Sequence, residues 1–292
     1  MPKLLVAVPV SLAALAVLAA CGSTSSAPAR TTTTLPQLGP PPLAVGPASA
    51  RDLSAVQRAA THTLTLHAAI SLEFVSPPSV PYPPVTATGA FDLPTMSGRE
   101  LLHDSVGTET LVFLPTEILD RRPVAESSGL PRGRPWIRAA FSQHLDPSHF
   151  LEQSLQRLEQ DDPAFLLAEI AWGARDAAPL GPRTVDGVRA NGYLVHVDAA
   201  RATSAAAGPS AHGFRNAAAM IEQELGAGMG VPPLVYVWVD GSNRVVALRA
   251  LTVGNTGGTT LVNLTSFGVT VRLSPPPRSQ TVDLDDLDSD PT

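Results

Sequence analysis

Apolar and polar residues alternate between residues 64 and 74. Leu66, Ile70, Leu72 and Phe74 are among the apolar residues at even positions, whereas most odd positions are polar. Successive side chains of a β-strand point to opposite faces of its sheet, so a period of two is typical of a strand with one buried face. The segment is therefore predicted to be a long strand that buries its even positions.

The same alternation predicts further strands along most of the chain. Residues 85–93 repeat it, with Phe91 on the apolar side. Other strands are predicted at residues 99–106, 109–114, 135–141, 192–198, 234–239, 245–253, 261–267 and 269–273. Because short turns separate many of them, neighbouring strands are expected to pair as antiparallel hairpins. The pattern therefore predicts one antiparallel sheet of about nine to eleven strands.

Other segments have the apolar spacing of helices. These are residues 51–62, a stretch that opens with Asp146 and Pro147, and residues 214–225. Residues 163–172 are also predicted to be helical, but they are apolar on nearly every side. Such a helix must either be buried beneath other elements or itself cover an apolar surface. The predicted fold class is α+β, a strongly curved antiparallel sheet with helices gathered on one side.

The beginning of the chain has the features of an export signal. Lys3 precedes residues 4–20, which have no charge and end in Leu18-Ala19-Ala20-Cys21. A positive start, an apolar run and small residues at its end are typical of a secretory signal peptide. The ending also resembles the bacterial lipobox, in which the cysteine becomes the lipidated first residue of the mature chain. Residues 1–20 are therefore predicted to be a lipoprotein signal peptide, and Cys21 the site of lipid attachment.

Two other interpretations of this segment stay open. Ordinary signal cleavage near Ala20 would leave no lipid on the protein. The segment could also be an uncleaved membrane helix, although Pro9 interrupts an apolar run that is short for a membrane span. The lipoprotein interpretation places the folded part on the extracytoplasmic face of the cell membrane, anchored by acyl chains on Cys21.

Composition divides the rest of the chain into a tether, one domain and a tail. Residues 21–50 contain Pro40-Pro41-Pro42 and a single charge, a composition typical of an extended linker. Residues 51–278 have the patterns of one folded domain. Residues 279–292 are rich in aspartate and are predicted to be a flexible, solvated tail. The tail lacks the glycine and glutamate of a calcium loop, so no metal site is predicted there.

Charge and cysteine content exclude several classes of function. The formal net charge is -6 and there is no basic stripe, which argues against nucleic acid as a partner. One cysteine excludes a disulfide framework and a cysteine-based metal centre. Ser210 and His212 lie in a loop sequence, and His144 and His149 lack metal-ligand spacing on one helix face. With hydrolase, metalloprotease and phosphate-loop motifs also missing, no enzyme activity, cofactor or metal is predicted.

Four segments of the chain together resemble the sequences of a known protein family. They are Pro135-Trp136-Ile137-Arg138, residues 181–198 with Val185-Asp186-Gly187-Val188, Val237-Trp238-Val239-Asp240 with Arg244, and Leu264 to Gly268 followed by residues 275–284. In order and spacing they resemble the actinobacterial lipoproteins of the LppX and LprG type, which share the half-barrel fold of the LolA and LolB lipoprotein carriers. The chain departs from that family at Val246 and Ala247, where basic residues are expected.

The resemblance implies an antiparallel half-barrel that curls around an apolar cavity, with helices across its open side. It also implies that the cavity binds acyl chains of lipids, for transport in the cell envelope or for sensing. The side chains expected to line the cavity are Leu66, Ile70, Leu72, Phe74 and Phe91. The apolar helix is the expected lid, with Phe165, Leu166 and Ile170.

Alternatives remain open for the same residues. An apolar wall has the same sequence whether it faces lipid or the side chains of a filled core. With a filled core, the chain would be a non-catalytic module that docks or senses a protein of the envelope. A hydrolase has little support beyond scattered Ser, His and Asp residues. The expected partners are therefore a lipid and the membrane, and the sequence identifies no protein partner.

Overall fold

The computed structural model describes the chain in several stretches. These are residues 44–75, 85–123, 129–140, 163–198, 201–202, 204, 234–252 and 258–288. All of them belong to one compact unit of the chain. The predicted signal peptide with Cys21, and the helices predicted to begin at residues 147 and 214, lie outside the described residues.

Strands dominate the described part of the chain. The helices are α1 (Ala50–Thr63), α2 (Pro163–Gly173) and α3 (Leu284–Asp288). The strands are β1 (His67–Val75), β2 (Val85–Asp92), β3 (Ser97–His103), β4 (Thr108–Leu114), β5 (Glu117–Arg121), β6 (Trp136–Ala140), β7 (Ala174–Val185), β8 (Val188–Val197), β9 (Leu234–Asp240), β10 (Val245–Thr252), β11 (Gly258–Thr265) and β12 (Thr281–Asp283).

These twelve strands form one sheet in the order β12-β6-β5-β4-β3-β2-β1-β11-β10-β9-β8-β7. Neighbouring strands are antiparallel, except that β12 runs parallel to β6. The sheet is curved and does not close into a barrel. The predicted α+β class and curved antiparallel sheet are confirmed, and the strand count exceeds the expected range by one.

Differences from the predicted strands have local physical causes. Strand β5 was missed because it buries Asp120, a charged residue, where the alternation requires an apolar one. Strand β7 was missed because it contains Pro179 and Pro182, which an edge strand tolerates since its outer side needs no ladder hydrogen bonds. The strand predicted at residues 269–273 is wrong, because the chain leaves the sheet through a turn with positive φ at Ser266 and Gly268.

Strand β1 begins at His67, later than the sequence pattern predicts. The backbone N–H groups of Leu64 and Leu66 donate to carbonyls in the last turn of α1, so both leucines belong to the connection between helix and strand. Within the strand the predicted alternation is confirmed, since Ile70 and Leu72 are buried. The face with these two residues is called the inner face below, and the opposite face the outer face.

Helix α1 packs against α2 and β7 and is held at both ends. At its start, the backbone N–H of Asp52 donates to the Ser49 hydroxyl over 3.1 Å, which satisfies one of the free donors of the first turn. At its end, the N–H of Val245 donates to Thr63 Oγ1 over 2.8 Å. The helix predicted at residues 51–62 is thus confirmed and is tied directly to β10.

The pKa of Tyr193 of β8 should report on the position of α1. Burial raises the pKa of Tyr193 above its usual 10.0, the Asp52 carboxylate raises it further, and Arg51 lowers it. Asp52→Asn is expected to lower this pKa, as measured by ultraviolet titration of tyrosinate, with Tyr193→Phe identifying the transition. The pKa of Tyr193 is higher in the folded state than in the unfolded state. The stability linked to neutral Tyr193 is therefore complete below pH 10.0 and is lost as pH rises through the folded-state pKa. An unchanged titration in Asp52→Asn would contradict this electrostatic influence of Asp52 on Tyr193.

A second cluster of buried side chains lies on the outer face. Trp238 is its largest member and is only 1% exposed. Its ring stacks on Tyr236, with 6.3 Å between ring centroids. The members are Leu180, Val185, Ala190, Tyr236, Trp238, Val246 and Ala247. Val246 and Ala247, which replace the basic residues expected from the family resemblance, are therefore buried apolar residues.

The acidic end of the chain belongs partly to the fold. Strand β12 pairs with β6, and its Val282 and the following Leu284 are buried. Arg138 of β6 forms an ion pair with Asp283 across this parallel pair, at 3.6 Å. The prediction of a flexible tail is therefore wrong for residues 281–284. The alternation of Val282 and Leu284 with aspartates is that of a short strand, and the surrounding negative charge concealed it.

Candidate functional site

The predicted wall residues come together on the inner face of β1 and β2. Ile70 and Leu72 lie opposite Gly89 and Ala87, and Phe91 is fully buried at the other end of the strand pair. Phe74 is on the same face but half-buried near the end of β1. Leu66 is half-buried in the turn before β1, so its place in the wall strand is corrected. Contact of these side chains with a ligand stays a prediction.

Gly98 of β3 leaves the space on the inner face that the Phe91 ring occupies. Phe91, Gly98 and Phe113 are cross-strand neighbours in β2, β3 and β4. A Cβ atom on Gly98 would lie 2.5 Å from the Phe91 ring, so only glycine leaves room for the ring at this position. The two rings meet above it with 5.2 Å between their centroids. The result is an aromatic surface that continues the aliphatic one of β1.

Helix α2 is the predicted lid, and the helix itself is confirmed. Phe165, Leu166 and Ile170 are at most 4% exposed. The helix packs against α1, β7 and β8, and its residues belong to the same apolar cluster as Ile70, Leu72 and Phe91. The predicted wall and the predicted lid are therefore parts of one continuous apolar region.

The inner face also has a polar part that the sequence patterns did not reveal. Glu100 and Asp120 flank Leu111 across β3, β4 and β5, and both carboxylates are buried. Arg122 Nε donates to Asp120 Oδ2 over 3.0 Å, and the Arg122 side chain is 7% exposed. Burial of an ion pair is favourable only with such direct contact, because both groups lose their water. The inner face is thus apolar at β1 and β2, whereas on β3 and β5 the buried carboxylates of Glu100 and Asp120 interrupt apolar residues such as Leu102 and Ile118.

Two of the cavities next to described residues are lined by neither the predicted wall nor the predicted lid. The first, of about 390 Å³, lies at the β7–β8 turn on the outer side of the sheet's end. Its lining residues are Val185, Asp186, Val188, Arg244, Val246, Leu264, Thr265, Ser266 and Phe267. The second, of about 550 Å³, is an open groove beside α1. Its lining residues are Ser54, Gln57, Arg58, Thr61, His62, Thr65 and Asn243.

The described stretches contain neither a metal-binding cluster nor a membrane-spanning helix. Within them, no three His, Cys, Asp or Glu side chains are placed to hold a metal ion. No helix in the same stretches is long and apolar enough to cross a membrane. The pairs His144 and His149, and Ser210 and His212, lie outside the described residues.

Comparison with known proteins gives structural neighbours only. No family model matches the chain, and no curated protein matches it. LprF from Mycobacterium bovis is 14% identical, with a TM-score of 0.43, over 79% of this chain and 99% of LprF. Lipoprotein LppX from Mycobacterium tuberculosis is 11% identical, with a TM-score of 0.44, over 77% of this chain and 98% of LppX.

A protein of the LolA superfamily from Nitrosomonas europaea is also similar. It is 9% identical, with a TM-score of 0.29, over 77% of this chain and 94% of that protein. The sequence resemblance named the LppX type and the LolA fold, and proteins of both kinds are among these similar structures. Likenesses this distant say nothing about what this chain binds.

Proposed function

We propose that this protein binds acyl chains of a lipid against the inner face of its sheet, as a lipoprotein anchored through Cys21 on the extracytoplasmic face of the membrane. The supporting observation is that Ile70, Leu72 and Phe91 form one apolar cluster with the helix α2. Such a region can replace the membrane interior as surroundings for an acyl chain. Each buried methylene is worth about 0.8 kcal/mol in either place, so transfer between them is nearly balanced.

The positions of the polar groups limit where on the inner face an acyl chain can bind. Glu100, Asp120 and Arg122 lie on β3 and β5 and just after β5, so an acyl chain placed there would meet charged side chains without hydrogen-bonding to them. Burying such groups against hydrocarbon is costly. We therefore place the acyl chains along β1 and β2, between the strands and α2, where release would require movement of the helix.

Lipid content of the purified protein tests the proposal. The chain from Gly22 onward, made without its anchor, is extracted with organic solvent, and extract and native protein are analysed by mass spectrometry. Stoichiometric lipid is expected in the wild type. Leu72→Trp should remove most of it, since the indole would fill space on the inner face. Thr88→Trp is the matched control, because Thr88 is exposed on the outer face of β2 and next to Ala87 of the wall.

The control separates loss of binding from loss of folding. Circular dichroism should show the same strand content in both variants. Protein that stays free of lipid, even after incubation with envelope lipids, would contradict the proposal and favour the second candidate. That candidate is a non-catalytic interaction module with a filled core. It is favoured by one observation, that Ile70, Leu72 and Phe91 of the predicted wall are at most 3% exposed.

A further inference from the structure

Four exposed arginines come together at one end of the sheet. Arg121 is the last residue of β5, and Arg132 and Arg134 lie in the connection that leads into β6. Arg278 begins the short helical turn that leads into β12. These three strands are neighbours in the sheet, and since adjacent strands are about 4.8 Å apart, their ends span roughly 10 Å. The fold therefore joins charges that are distant in the sequence.

The strand register places the arginines around one tryptophan. Trp136 begins β6 and is paired with Thr281, the first residue of β12. On the other side of Trp136, the register of β5 and β6 places Arg121 beside it. Arg134 and Arg278 come two and three residues before the starts of β6 and β12. The Trp136 side chain is half-buried on the outer face. The four arginines and Trp136 are called the arginine patch below.

The patch has more positive than negative charge. Among the described residues, none of its arginines takes part in an ion pair, whereas Arg138 further along β6 has acidic partners. Residues 121–136 contain four arginines and one acidic residue, Glu126. Acidic residues at the same end of the neighbouring strands include Asp104 and Glu109, and the Asp104 carboxylate accepts two N–H groups of its own turn. The local excess of positive charge contrasts with the formal net charge of -6.

The chemistry of the patch suits the surface of an anionic membrane. Guanidinium groups bind phosphate oxygens through paired N–H donors. An indole ring, apolar with one polar N–H, is favourable at the level of lipid headgroups. Each basic residue near an anionic lipid surface strengthens binding by about fivefold. We propose that the arginine patch docks the domain on the phosphate groups of an anionic lipid surface.

The charge of the whole chain makes this docking directional. An anionic membrane repels a protein of net negative charge, and the attraction of the arginines acts only within about one Debye length, roughly 10 Å at 0.1 M salt. Only orientations with the patch toward the lipid are therefore favourable. A docked domain stands with the Arg121 end of β5 and the first residues of β6 and β12 against the headgroups. This inference goes beyond the proposed function and depends on neither acyl-chain binding nor the lipid anchor.

Binding to vesicles tests the docking. The chain from Gly22 onward is sedimented at low salt with vesicles of phosphatidylglycerol and phosphatidylcholine, or of phosphatidylcholine alone. Binding is expected only with phosphatidylglycerol and should weaken as salt is raised. A triple variant should lower the binding constant at least about thirtyfold, since three of the attracting charges are lost. Its changes are Arg121→Gln, Arg134→Gln and Arg278→Gln.

A matched triple variant removes the same charge elsewhere. It changes three other exposed arginines, through Arg51→Gln, Arg189→Gln and Arg201→Gln. Its binding constant should fall by less than about threefold, because these side chains lie outside the patch. Circular dichroism should be the same for both variants and the wild type, since all six side chains are exposed.

A fluorescent label identifies the end of the domain that meets the lipid. The chain from Gly22 onward has no cysteine, so a single introduced thiol carries an environment-sensitive dye. The label is placed at Ser279→Cys, next to Arg278, or at Ser242→Cys as the control. Both serines are exposed, and Ser242 lies in the β9–β10 turn at the opposite end of the strands. Vesicles should shift the emission to shorter wavelength only for the label at residue 279.

Several results would overturn the proposal. They are absence of binding to vesicles with phosphatidylglycerol, equal losses in the two triple variants, and equal emission shifts at the two labelled positions. Tighter binding to soluble polyglutamate than to these vesicles, at the same concentration of negative charge, would also overturn it. The patch would then be assigned to an acidic protein instead of a membrane.

Discussion

Trp238→Ala is expected to lower the free energy of unfolding by about 3–5 kcal/mol, as is typical for removal of a buried tryptophan from a packed site. The side chain is 1% exposed on the outer face and stacks on Tyr236. Its loss leaves a cavity among the other buried side chains of the outer-face cluster. Urea unfolding followed by far-ultraviolet circular dichroism measures the change, because this readout does not depend on the removed fluorophore.

A neighbouring glycine provides a control for this prediction. A Cβ atom on Gly192 of β8 would lie 3.0 Å from Trp238 Nε1, so Gly192→Ala crowds the ring. The alanine at 192 should destabilise the wild type but cost less in the Trp238→Ala background, where the space is empty. A loss below about 1 kcal/mol for Trp238→Ala, or additive effects in the double variant, would contradict the packing described for the outer face.

Arg122→Met is expected to cost about 3–5 kcal/mol at neutral pH, because it leaves the buried carboxylate of Asp120 without its charged partner. The Asp120 side chain is fully buried and the Arg122 side chain is 7% exposed, so neither group is well solvated. Methionine keeps most of the length of the arginine stem, so the change removes mainly the charge. Urea unfolding at constant pH measures the loss.

Two further variants separate the ion pair from general damage. Asp120→Leu combined with Arg122→Met should recover much of the stability, since an apolar pair of similar volume needs no compensation of charge. Arg175→Met removes a partner of Asp176, but that pair is exposed, with 66% and 33% of the side chains accessible. Its loss should be below about 1 kcal/mol. Equal effects of Arg122→Met and Arg175→Met would show that burial of the Asp120 pair has no energetic consequence.

Hairpin strands could be predicted from the sequence where the alternation is not interrupted. In β1, Ile70 and Leu72 alternate with polar residues, and both are buried as expected. In β5, Asp120 occupies an inner position, and only its pairing with Arg122 makes that position acceptable. Such a pairing depends on where the side chains lie in space, so no periodic pattern in the sequence reports it.

The candidate site was predictable to the same limited extent. The wall residues of β1 and β2 share a face because strand geometry requires it, and the helix with Phe165 and Ile170 is buried because it is apolar on nearly every side. The polar part with Glu100 was not predictable, since a glutamate beside two leucines gives no local sign of the face it occupies. The groove beside Phe267 depends on the meeting of turns that are distant in the chain.

Strand β12 affects whether copies of the protein aggregate through the edges of their sheets. A sheet with two ends presents unpaired backbone groups at each, which invites pairing with another molecule and aggregation. Here one end is closed by a strand of three residues ending in Asp283, and the other is partly covered by a segment with Pro47 and no charge. Short, charged or proline-containing edges are poor templates for further strands. The segment with Pro47 and strand β12 thus keep the sheet from extending from one molecule into the next.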